Sequence, residues 1–185
     1  MKLARIAGIT ALALAATVPF AINMPGFANL KDQVGNAIAQ NVQTKPQLNL
    51  NLTAEKQIFE KNGKKVNWQA LQSGTVVNPG DVLRYNLVGE NKGSGAAKNL
   101  VLTQPIPKGT VYVLKSATAN GAKLSFSIDG GKTFSPNPVV AVKLANGKVE
   151  TRPAPAAMYS MTRWDFNQPV NAKSSVKVSY KVVVK

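Results

Sequence analysis

Cysteine and histidine are both absent from the 185 residues. That excludes a disulfide, a thiolate zinc site, an iron–sulfur cluster, a cysteine nucleophile and any histidine-containing triad. Acidic residues are scarce too: 8 Asp+Glu stand against 23 Lys+Arg, a formal charge of +15. None of these carboxylates falls in an Asp-x-Asp cluster, so no calcium loop is indicated. Beyond residue 28 no apolar stretch approaches the length needed to cross a bilayer. Charged residues make up only 17% and hydrophobic ones 44%, which argues against global disorder and provides for a real core.

What is present begins with the pattern of a secretory leader over residues 1–28. Lys2 and Arg5 form a positive start and residues 6–22 an apolar run. Gly26 and Ala28 then occupy the −3 and −1 positions of a small-residue cleavage site. A second match, Ala37-Ile38-Ala39, lies farther from the run. The alternative is an uncleaved anchor, but the run is broken by Gly8, Thr10, Thr17 and Pro19 and sits at the lower limit for a span. The expectation is a cleavable signal peptide and an exported mature chain, periplasmic, cell-surface or extracellular, with no transmembrane segment. Removing residues 1–28 takes away Lys2 and Arg5 and no acid, leaving +13. A cysteine-free exported domain of about 140 residues must then be stabilised by its core alone.

Residues 29–45 form a polar arm or linker. Leu30, Val34, Ala37 and Ile38 fit one face of a short helix, which Gly35 and the Asn/Gln content weaken. Two uses are open for it: a flexible spacer, or a strand donated to a neighbouring subunit for self-assembly.

From residue 46 to 185 the period is two. Leu48, Leu50 and Leu52 alternate with Asn49, Asn51 and Thr53. Asn62-Gly63 is a hairpin signal before Val66 and Trp68. Further strands are expected at 82–87, 100–103, 110–114, 123–128, 139–144 and 159–164. The clearest strand is the last, with Val176, Val178, Tyr180, Val182 and Val184 on one face and Lys177, Ser179, Lys181 and Lys185 on the other. Short strands at this spacing predict an all-β, antiparallel, immunoglobulin-like sandwich. Tyr85, Leu87, Leu100, Leu102, Val178, Tyr180 and Val182 are its expected core.

Asn78-Pro79-Gly80-Asp81 leads through Tyr85, Asn91-Lys92-Gly93 and a hydrophobic strand to Pro105-Ile106-Pro107-Lys108-Gly109. Over residues 72–185 this order resembles the conserved-repeat family catalogued as domain of unknown function eleven. The resemblance implies an immunoglobulin-like domain of bacterial and archaeal surface proteins without established catalytic activity. At Gln104 that family often carries Asp. The physical roles expected of these residues are structural. Pro79 fixes φ, Gly80 supplies a positive φ, Asp81 accepts backbone N–H groups, Tyr85 is buried, and Asn91 and Gly93 shape a loop.

Ser127-Ile128-Asp129-Gly130-Gly131-Lys132-Thr133-Phe134 fits the Asp-box pattern and resembles the hairpin turns of sialidase-like propellers. Asp129 is expected to cap turn amides, Gly131 to permit the turn and Phe134 to pack inward. A single copy does not make a propeller. Gly131-Lys132-Thr133 has the ending of a phosphate-binding loop, but Phe126 stands where its first glycine belongs. Ser174-x-x-Lys177 matches a serine–lysine signature without its companion motifs. No catalytic residue, metal site or cofactor is expected.

The charge leaves one functional pointer. Lys177, Lys181 and Lys185 on the last strand, and Lys61, Lys64 and Lys65 around the first hairpin, are candidate contacts for anionic wall polymer, polysaccharide or extracellular DNA. Lysines that keep sheet edges soluble need no ligand. No aromatic-rich basic stripe points to specific nucleic-acid recognition. The expected function is a non-catalytic envelope or extracellular structural domain that contacts other envelope or matrix proteins. An anionic-polymer module is the alternative, and a hydrolase with two distant carboxylates is the remote third.

Overall fold

A computed structural model describes residues 15–17, 44–59 and 66–185. The rest of the leader, residues 29–43 of the arm, and Lys61, Asn62, Gly63, Lys64 and Lys65 lie outside the described residues.

The described chain is an antiparallel β-sandwich. One sheet has the order β3-β2-β4-β11-β6: Val66–Ala70, Leu48–Phe59, Val82–Asn91, Ser175–Val184 and Thr110–Tyr112. The other has the order β1-β5-β10-β7: Ala15–Thr17, Val101–Pro105, Met161–Phe166 and Ala122–Ser127. A separate ribbon pairs β8 (Val139–Lys143) with β9 (Val149–Pro153). The period-two pattern explains the layers, since alternate residues of each strand reach one face.

Leu87, Leu102, Val178, Tyr180, Val182 and Trp164 point between the sheets and are fully buried. Leu100, just ahead of β5, is buried with them. Trp164 Nε1 donates to the Thr118 carbonyl at 2.8 Å, and the Tyr180 hydroxyl donates to the Pro105 carbonyl at 3.1 Å. Each buried polar tip therefore has an acceptor. Gln104 is the exception: its amide is enclosed on the core side of β5, and neither its nitrogen nor its oxygen has a partner.

The structure departs from several sequence expectations. Tyr85 is half-buried rather than enclosed, stacked on Tyr180 beside the small Ala54 of β2. The strand expected to start at 159 begins at Met161, because residues 156–158 form a 3-10 turn. Strand β9 carried no sequence signal; its residues are all exposed, so it has no alternating pattern to read. Residues 15–17, inside the leader's apolar run, pair with Val101–Thr103 at the edge of β5.

Candidate interaction face

On the outer face of the larger sheet, Lys181 of the last strand and Arg84 of β4 meet one aromatic ring. Lys181 stands opposite Arg84 across the β11–β4 pair. The Arg84 guanidinium lies 4.1 Å from the Trp68 ring centroid and the Lys181 ammonium 5.3 Å from it. Both distances are within cation–π range. Glu55, beside Arg84 on β2, accepts from Arg84 Nε at 2.7 Å and from Asn86 Nδ2 at 2.8 Å. Burial by itself raises the Glu55 pKa, but the bonds from Asn86 and Arg84, with the charges of Arg84 and Lys177, outweigh it and hold the carboxyl below its usual value. The face thus carries Arg84, Lys177 and Lys181, with Glu55 beside Arg84 and Glu90 farther along β4, where it pairs with Lys92 at 3.5 Å.

The lysine ladder read from the sequence is only partly assembled. Lys177 is exposed and Lys181 half-buried on this face, whereas Lys185 lies past the end of β11 and donates its amide to the Gly109 carbonyl at 2.8 Å.

The turn Asn78-Pro79-Gly80-Asp81 is bonded to the strand ends. Gly80 has φ 91°, a left-handed conformation that glycine adopts without a Cβ penalty, and its amide donates to the Val184 carbonyl at 2.9 Å. Asp81 Oδ2 accepts the Asn78 amide at 2.6 Å and meets Lys56 Nζ at 2.7 Å. Pro79 leads that turn, as a φ-restricted residue suits.

Asn91 is fully buried and joins three segments. Its Oδ1 accepts the amides of Gln47 and Gly93, each at 3.1 Å. Its Nδ2 donates to the carbonyls of Gly95, Val170 and Asn171 at 2.7, 3.0 and 3.2 Å. Gly93 and Gly95 let residues 44–47 lie flat on this loop, since a Cβ at either would strike the backbone of Thr44 or Lys45.

The Asp-box segment forms a closed turn. Asp129 Oδ2 accepts the Thr133 hydroxyl at 2.6 Å, and Oδ1 accepts the Thr133 amide at 3.0 Å and the Ser127 hydroxyl at 2.7 Å. These bonds, led by the Thr133 hydroxyl, hold the carboxyl far below its ordinary range. Gly131 has φ 94°. Phe134 does not pack inward as expected; its ring sits 5.2 Å below the Arg163 guanidinium, on the outer side of β10, because Thr162 and Trp164 take the inward positions.

Sequence reasoning missed the segment that closes the free edge of β11. Val113 and Thr118 donate their amides to the Lys181 and Ser179 carbonyls at 2.9 and 2.8 Å. Ser116 Oγ and Thr118 Oγ1 accept the amides of Lys181 and Ser179 at 3.0 and 2.9 Å, and Asn120 Nδ2 bonds to the Lys177 carbonyl. Isolated Ser, Thr and Asn in a loop give no warning of such a distant partner. Among the described residues no three His, Cys, Asp or Glu side chains are grouped so that they would hold a metal ion. No described helix is long and apolar enough to cross a membrane.

No protein-family model, curated protein or solved structure matches the chain.

Proposed function

We propose that this protein is a non-catalytic, exported structural or interaction domain of the cell envelope or extracellular matrix. The observation that carries this reading is where the polar side chains are engaged. Asn91, Asp81, Asp129 and Glu55 are each bonded to other parts of the same chain. Such groups fix turns and strand ends. The resemblance of residues 72–185 to a surface-domain family and the leader pattern of residues 1–28 support the same reading. Fractionation of producing cells tests it: the protein should be retained with wall or matrix material. Recovery only as a freely diffusing species with no associated material would overturn it.

A second reading rests on the Trp68 face. Arg84 and Lys181 at an indole ring, with Lys177 farther along the same strand face, suit an anionic polysaccharide, whose charges meet the cations while a sugar ring covers the aromatic surface. Retention on such a polymer that falls steeply with salt, and falls again in Lys177→Ala/Lys181→Ala, supports it. Equal retention by parent and variant would sink it.

A further inference from the structure

The edges of the larger sheet are treated unequally. Beyond β6, the free edge of β11 is closed by residues 113–120. On the opposite side, β3 covers β2 only from Glu55 to Phe59, with Leu71 bonded to the Ala54 carbonyl. From Leu48 to Thr53, β2 has no neighbour on its outer side among the described residues.

The backbone direction along this stretch follows from the pairing. Lys92 donates to the Gln47 carbonyl on the β4 side, and the Ala54 carbonyl faces the β3 side. In an antiparallel ladder these directions alternate, so the amides and carbonyls of Leu48, Leu50 and Leu52 point outward. The same three leucines are only half-buried where they pack against the core. Natural edges are usually blunted by charge, proline or a bulge. Here residues 47–54 contain no charged residue and no proline, in a chain of net charge +15.

We infer that this edge pairs with the same edge of a second copy, about a two-fold axis at Leu50. Strands running antiparallel would place Leu50 opposite its own counterpart and Leu48 opposite Leu52. All three are positions whose backbone groups face out, so each pair exchanges two hydrogen bonds. The leucines of the two copies then cover one another, and the contact is isologous and closes as a dimer. The paired window is bounded by Pro46, which lacks an N–H, and by β3. A neutral edge also suits two copies that repel elsewhere. The chain just ahead of β2 is held to the β4 side, with Lys45 accepting the Ser94 and Gly95 amides and Gln47 accepting that of Lys92.

The register gives a test that spares the core. Asn49 and Asn51 are exposed on the outer face, and the axis at Leu50 sets each opposite the other in the second copy. Light scattering across concentration should show a dimer whose share rises with salt, because salt screens the positive charge. Asn49→Lys/Asn51→Lys should be monomeric with unchanged circular dichroism and thermal unfolding. Asn49→Lys/Asn51→Glu, which sets Lys opposite Glu, should dimerise again. A parent that stays monomeric at every concentration and salt, or a Lys/Lys variant that dimerises as the parent does, overturns the inference. So does a dimer lost only when residues 29–43 are deleted, which would mean arm exchange instead.

Discussion

Tyr180 stands directly opposite Tyr85 across the β11–β4 pair, and the two rings stack with centroids 5.3 Å apart and planes 17° from parallel. Trp164 of the facing sheet approaches Tyr180 to 6.2 Å, so one phenol ring joins both layers. Burial pushes the Tyr180 pKa strongly up, with the neighbouring Tyr85 adding to it.

Replacing Tyr180 by Ala should cost about 3–5 kcal/mol, the range for a large buried aromatic. Tyr180→Phe keeps the stack and loses only the bond to the Pro105 carbonyl, so it should cost on the order of 1 kcal/mol. Urea unfolding of both variants checks the difference. Equal costs would mean that the hydroxyl, not the ring, matters.

Gln104 offers the opposite case. Its side chain is enclosed with both polar atoms unpartnered, so the folded state bears their desolvation without a compensating bond. Gln104→Met, close in shape, should raise stability by about 1–3 kcal/mol. A drop in the unfolding midpoint would show that the amide is satisfied in solution.

The loop at Asn91 should be intolerant of change. Asn91→Ala leaves the Gly95, Val170 and Asn171 carbonyls without that donor and should cost on the order of 3 kcal/mol. Gly95→Ala drives a Cβ into the Thr44 backbone and should cost about 1–3 kcal/mol. Amide hydrogen exchange should then quicken first at Ser94 and Gly95, whose amides bond to Lys45.

Asp129 makes an acid-sensitive turn. Its folded pKa lies below the unfolded value of 3.8, so the ionised form stabilises the fold. That contribution is complete above the unfolded value and is lost as pH falls through the folded one. Asp129→Asn should therefore lower thermal stability at neutral pH, and the gap to the parent should narrow in strong acid. A gap independent of pH would place the effect in turn geometry and not in the charge.

The sequence by itself determined the β class, the position of the last strand and the inward set Leu87, Leu100, Leu102, Val178, Tyr180 and Val182. Period-two burial is a local property, written wherever a strand has one wet and one dry face. It also marked Pro79, Gly80 and Asp129 as turn residues, because turn chemistry acts over a few bonds. Only the tertiary structure decided which strands are neighbours. That brought Trp68, Arg84 and Lys181 together from three strands, set Phe134 under Arg163, and tied Asn91 to carbonyls 79 and 80 residues away. It also decided which edges are closed. Loop 113–120 covers β11, while Leu48 to Thr53 of β2 have no strand on the side away from β4 among the described residues. Such contacts depend on strand order and register, which alternation within a single strand does not encode.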